Sequence, residues 1–215
     1  MSRELTLGEH RWPAIGTVGA ALAMYFALPG KFVLGPKWIL PALEAALIIP
    51  LIIANPVRLT RETQVTRVIS VTLIALISLF NAFSTGLLVH GLLHGIKLGG
   101  RSLILSAIEI WITNVLVFTL WYWELDRGGP VARAFGEQRR PDFLFPQMSS
   151  PEVAGRDWMP GFVDYFYTSF TNCTAFSPTD TMPLSPWSKL LMLLQATVAL
   201  VTVAVVAARA VNILT

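Results

Sequence analysis

Four ionisable side chains, Glu44, His90, His94 and Glu109, stand inside otherwise apolar runs. A charge there costs roughly 3 kcal/mol or more at membrane depth, so such a residue marks an ion or proton path, a cofactor ligand or a buried hydrogen-bond partner. His90 and His94 stand four apart, on one helical face. That spacing holds a metal or an axial cofactor when further ligands join it. A zinc site takes three or four ligands, and no second His or Cys pair recurs in the sequence. The histidines therefore read as interfacial or packing groups, and no catalytic, cofactor or metal residue is assigned. Glu44 reads as a carboxylate near the helix end that reaches the interface or is hydrogen-bonded in the bundle, with a functional surface as the sharper alternative, and Glu109 as an inter-helix hydrogen-bond partner, with a proton relay as the sharper alternative.

A second set of groups lies near the C-terminus, where Thr174, Ala175, Phe176, Ser177, Pro178, Thr179 and Asp180 form an oxygen-rich run. Just before it, Gly161 to Thr174 is aromatic and mostly apolar. As a helix it would rise only about 21 Å, short of a hydrocarbon core of about 30 Å, so it can enter a membrane without crossing. After it, Pro178, Pro183 and Pro186 exclude a regular helix or a central strand. Trp187 to Ile213 then runs without an acidic group, about 40 Å if helical, with Ser185 placed to cap it and Pro186 at its first position. Phe162, Phe166 and Phe170, four apart, read as packing residues rather than a gate.

Short helix, extended strand and spanning helix, with Tyr165-Phe166, Thr174, Asp180, Pro183, Ser185, Lys189 and the closing Ala208-Arg209-Ala210-Val211, resemble the pore module of tetrameric cation channels, particularly two-transmembrane potassium channels. The resemblance implies a filter at Thr174 to Asp180, in which Thr174 and Ala175 take the places of two threonines, Phe176 of a valine, Ser177 and Thr179 of two glycines, Pro178 of a tyrosine and Asp180 of an aspartate. It also implies a homotetramer around an ion path. Potassium filters use rings of backbone carbonyls, and glycine is what admits alternating left-handed dihedrals. With Ser177 and Thr179 there, the expectation is cation permeation with poor or absent potassium selectivity. Alternatives are a non-conducting channel-like scaffold or partner subunit, and a membrane metal or haem protein using His90 and His94. The phrases Trp-Glu-Leu-Asp-Arg-Gly-Gly and Phe-Ser-Pro-Thr-Asp-Thr-Met-Pro-Leu also resemble a group of bacterial membrane proteins.

The elements that must position these residues follow from composition. The chain has 215 residues, 54% hydrophobic and 13% charged, with mean hydropathy +0.61. That departs from soluble domains toward membrane proteins. The expected fold is an all-α polytopic membrane protein with about five spans plus one re-entrant segment, placed in the bacterial inner membrane. Residues 1–98 would hold three spans, from Ala14 to Leu28, Trp38 to Ala54 and Val68 to Leu93. Residues 99–215 would hold the pore-like module: outer helix 102–123, loop 124–160, re-entrant helix and filter-like strand 161–183, and inner helix 186–213. Trp121-Tyr122-Trp123 reads as an interfacial aromatic belt. Asn114 would tie helices together. Expected partners are the lipid bilayer, monovalent cations and further copies of the chain. Scattered basic residues give no nucleic-acid footprint, and no phosphate loop, nucleophile elbow or metal-protease helix occurs, so no enzyme is expected.

Charge and resemblance disagree about orientation. With five spans, eleven of the 16 Lys and Arg fall on the side of the re-entrant segment and five on the other. The positive-inside rule then places that segment toward the cytoplasm, whereas the channel resemblance places it outside.

Overall fold

The computed structural model describes residues 8–54, 57–60, 63–94, 99–135, 140–175 and 180–214. The chain is mostly helical, at 78%. The larger helices are α1 (Trp12–Ala27), α2 (Ile39–Ala54), α3 (Gln64–Leu93) and α4 (Gly100–Leu125). Short pieces follow: α5 (Pro130–Phe135), β1 (Phe143–Leu144), α6 (Pro146–Ser149) and α7 (Pro151–Ala154). The chain ends with α8 (Phe162–Thr174), β2 (Met182–Pro183) and α9 (Pro186–Leu214). Among the described residues three helices, α3, α4 and α9, are long and apolar enough to cross a membrane. Helices α1 and α2 have 16 residues each and rise about 24 Å.

Local chemistry sets the helix limits. Helix α3 starts before Val68 because Thr63 and Thr66 cap it reciprocally: Thr66 N donates to Thr63 Oγ1 at 3.2 Å and Thr63 N donates to Thr66 Oγ1 at 2.9 Å. Each bond satisfies a backbone amide that the helix itself cannot pair. Thr63→Ala should cost about 1 kcal/mol and lower the melting midpoint in detergent by roughly 2–4 °C. At the end of α1, Lys37 Nζ donates to the Phe26 and Leu28 carbonyls at 3.0 and 2.5 Å. A cation is favoured there by the terminal carbonyls.

Helix α4 is the centre of the molecule and touches α1, α3, α8 and α9. Tyr25, Leu40, Phe80, Leu88 and Ile110 pack at one level, and Val18, Leu51, Leu73, Ile77 and Leu120 at another. Serine and threonine hydroxyls inside the bundle bond back to their own helix. Ser106, Thr119 and Thr202 each donate to the carbonyl four residues earlier at 2.8 Å. They thereby enter apolar surroundings without an unpaired donor.

The Trp121-Tyr122-Trp123 cluster turns inward instead of forming a belt. Tyr122 is fully buried and Trp123 nearly so. Their polar tips have protein partners, Gln195 for Tyr122 and Glu9 for Trp123, so neither needs the membrane–water boundary. Beyond α4 the chain reverses through a turn in which Gly129 has φ +103°, and a Cβ there would lie 3.0 Å from the Glu124 carbonyl oxygen. Only glycine suits that position.

The loop between α4 and α8 lies over the bundle as a cover, with Phe143 and Phe145 almost completely buried. They pack with Tyr122, Tyr165 and Met192. Strands β1 and β2 pair antiparallel, Phe143 with Pro183 and Leu144 with Met182. The ladder stays short because Pro183 has no amide proton to extend it.

Candidate functional site

Helix α8 has 13 residues, about 20 Å of rise, and lies against α4 and α9. Its start is fixed by Asp164, whose Oδ2 accepts from Gly161 N at 2.7 Å. A carboxylate in the first turn also complements the helix dipole. Along its inner face Tyr165, Thr168, Ser169 and Cys173 are buried. Its outer face exposes Val163, Phe166, Tyr167 and Phe170. Phe162 meets the Trp123 ring at 5.7 Å, and Phe170 meets the Trp111 ring at the same distance.

The inner face is held by one side-chain amide. Gln195, on α9 and fully buried, accepts at Oε1 from Tyr122 Oη at 2.5 Å and from Asn172 Nδ2 at 2.8 Å. Its Nε2 donates to Ser169 Oγ at 2.6 Å and to the Ser169 carbonyl at 3.0 Å. Ser169 Oγ in turn donates to the Val115 carbonyl at 2.7 Å. Asn114 Nδ2 donates to the Gln195 carbonyl at 3.2 Å and reaches Cys173 Sγ at 3.6 Å. Asn114 thus ties α4 to α9, as its place in the sequence suggested. Every polar atom of the Gln195 amide is used, which is the condition for burying an amide at little cost.

A second polar cluster seals the end of α8 near its first turn. Asp126, buried at the end of α4, accepts from Tyr165 Oη at 2.6 Å and from Asp142 N at 2.8 Å. Arg133 donates to the Trp123 and Asp126 carbonyls at 2.6 and 2.9 Å and pairs with Glu9, Nη2 lying 3.0 Å from Oε1. Its guanidinium stands 5.1 Å from the centre of the Tyr165 ring. Glu9 Oε2 also accepts from Trp123 Nε1 at 2.6 Å, bringing the start of the chain into the cluster.

At the far end of α8 lies the filter-like run. Thr174 and Ala175 close the helix and are exposed, Thr174 Oγ1 donating to the Phe170 carbonyl at 3.0 Å. Asp180 is exposed as well. Phe176, Ser177, Pro178 and Thr179 lie outside the described residues. Thr168 Oγ1, on α8, donates to Thr181 Oγ1 at 3.3 Å, and Ser185 Oγ accepts from Ser188 N at 3.2 Å, capping α9 as expected.

The other polar residues stand apart from this site. His90 and His94 are exposed at the end of α3, their rings 4.0 Å apart, with His94 Nδ1 against the His90 carbonyl at 2.9 Å. Among the described residues no three His, Cys, Asp or Glu side chains come together as a metal site. Glu109 is half-buried on α4, and its Oε2 has no hydrogen-bond partner. Glu44 is buried on α2 with neither carboxyl oxygen bonded. Gln195, Ser169, Asn172 and Asp126 were not singled out from the sequence. A lone glutamine in the leucine-rich start of α9 was the one available signal. The chain matches no protein-family model, no curated protein and no solved structure.

Proposed function

We propose that the protein is a homo-oligomeric pore-loop membrane protein, with about five spans and α8 as a re-entrant half-helix, that admits monovalent cations with poor or absent potassium selectivity. The observation that carries this reading is α8 itself. It is too short to cross a bilayer, it is pinned on its polar face by Gln195 and Asp126, and its chain returns directly into the long apolar helix α9. One short helix and one long helix enclose no path alone, so copies of the chain complete it. Four copies is the number the channel resemblance implies. The exposed stripe of Val163, Phe166, Tyr167 and Phe170 supports such assembly, because these side chains need either lipid or a neighbour. In this arrangement Thr174 to Asp180 lines the constriction, and Asp180 repeated around the axis makes a negative ring that draws cations.

The test is flux of potassium and sodium into liposomes holding the purified protein. The expected result is uptake of both ions, reduced about tenfold by Asp180→Asn, the low end of what a focused negative field does to local cation concentration. Flux equal to that of protein-free vesicles would end the channel reading in favour of a non-conducting partner subunit, for which the absence of glycine at 177 and 179 already speaks. By the balance of basic residues the loop faces the cytoplasm of a bacterial inner membrane. Reporter fusions at Ser149 and Gly99 should therefore report a cytoplasmic and an external site respectively; the reverse pattern would defeat the charge argument.

A further inference from the structure

Away from α8, a small, mostly apolar cavity lies between α1, α2, α3 and α4, within the packing of the bundle. It is a cavity of about 10 Å³, room for one water-sized occupant, lined among others by Tyr25, Leu40, Asn81, Ser84 and Thr113. Leu40 is on α2, and Glu44 follows it by one helical turn on the same buried face. Glu44 is 2% exposed and both its carboxyl oxygens lack a hydrogen bond. Tyr25, 4% exposed, is its electrostatic neighbour from α1, and the tyrosine hydroxyl is unbonded too.

Among the described residues no cation is an electrostatic partner of Glu44. Helix α1 presents the Tyr25 phenol to it, and the cavity beside Tyr25 and Leu40 is lined from α3 by the uncharged Asn81 and Ser84. Helix α4 presents Thr113, with Glu109 one turn before it, and the cation that acts on Glu109 is Lys37, already bonded to carbonyls at the end of α1. An ionised carboxylate held in such surroundings without a partner would cost several kcal/mol, on the order of the penalty for a buried ion. The acid form removes that cost and gives the unbonded oxygens a proton to share.

We propose that Glu44 is a reversible proton-binding site inside the helix bundle, with the Tyr25 hydroxyl as its neighbour. In the forward step a hydronium proton bonds to one Glu44 oxygen and a water molecule is left. In the reverse step the O–H bond breaks and the proton returns to water. No electrons are exchanged. The site stands apart from the pore-loop reading, and a failed flux assay leaves it untouched.

Infrared difference spectra of the protein in liposomes, titrated between about pH 5 and pH 8, test it. A protonated-carboxyl carbonyl band should fade as pH rises, vanish in Glu44→Gln and persist in Glu109→Gln. No Glu44-dependent band anywhere in the range would overturn the proposal, and so would a band that never changes with pH, the mark of a permanently neutral structural acid. Loss of the band on adding sodium at fixed pH would overturn it in favour of a metal-cation site. Should Glu44→Gln fail to fold, carbodiimide modification of the wild-type chain, mapped by peptide mass, decides the matter, because carbodiimides add to protonated buried carboxyls. Modification of Glu44 that declines with rising pH supports the proposal. Absent or pH-independent modification defeats it.

Discussion

Gln195→Leu should detach the short helix from the bundle while leaving the rest of the chain folded. The substitution keeps roughly the same volume but removes four side-chain hydrogen bonds at once, leaving Tyr122 Oη without its acceptor and Ser169 without its bonds to α9, while Asn172 keeps only its bond to the Met192 carbonyl. Each buried polar group left unpaired costs about 1–3 kcal/mol, so the expected loss is roughly 3–5 kcal/mol, less whatever the bundle recovers by relaxing. Cys173 offers a direct readout. It is the single cysteine of the chain and is 2% exposed on the inner face of α8. In the wild type a maleimide should react with it slowly, and in Gln195→Leu the reaction should be faster by at least about tenfold, as a 1.4 kcal/mol shift toward the open form implies. Unchanged labelling would mean that apolar contacts alone hold α8 in place. Ser169→Ala, which removes one hydroxyl while the Ser169 carbonyl still accepts from Gln195, should show a smaller effect of about 1 kcal/mol.

Asp126→Ala should be the most damaging change outside the apolar core. The carboxylate is fully buried and accepts from Tyr165 Oη and from the Asp142 amide, and Arg133 lies against the same turn. Its removal leaves a phenol and a backbone amide without acceptors beside a buried guanidinium whose remaining carboxylate partner is Glu9. Breaking such a set from one side costs about 3–5 kcal/mol. The measurement is the midpoint of unfolding in detergent, together with proteolysis of the segment from 140 to 160, which should become rapid. Asp126→Asn should recover part of the loss, since an amide oxygen still accepts one of the two bonds. If both variants melt with the wild type, the cluster is ornamental to folding.

These two residues also mark how far the sequence could be read. The limits of α8 were legible because an apolar aromatic run too short to span is bounded by Gly161 on one side and by prolines on the other. The three long helices were legible from hydropathy, and the cap at Ser185 from its neighbour Pro186. Asp126 was not, because in Glu-Leu-Asp-Arg-Gly-Gly it has the composition of a solvated turn, and the Tyr165 hydroxyl and Asp142 amide that meet its buried carboxylate come from 39 and 16 positions away. Gln195 was not, because hydropathy registers one polar residue among leucines as a small dip. Its meaning depends on Tyr122 and Ser169, which are 73 and 26 positions away. The inward turn of Tyr122 and Trp123 was hidden for the same reason. A tyrosine beside tryptophans has the same composition in an interfacial belt as in a bonded core.

The pairing of Met182–Pro183 with Phe143–Leu144 bears on engineering. Leu184 N and Ser188 Oγ both donate to the Asp142 carbonyl, at 2.8 and 3.0 Å, so the chain downstream of the turn is moored to the segment after α4, while the chain upstream is moored by α8. The described chain on either side of positions 176 to 179 is therefore held by two independent anchors. The exposed Ala175 and Asp180 can be exchanged while α8, β2 and α9 keep their mooring.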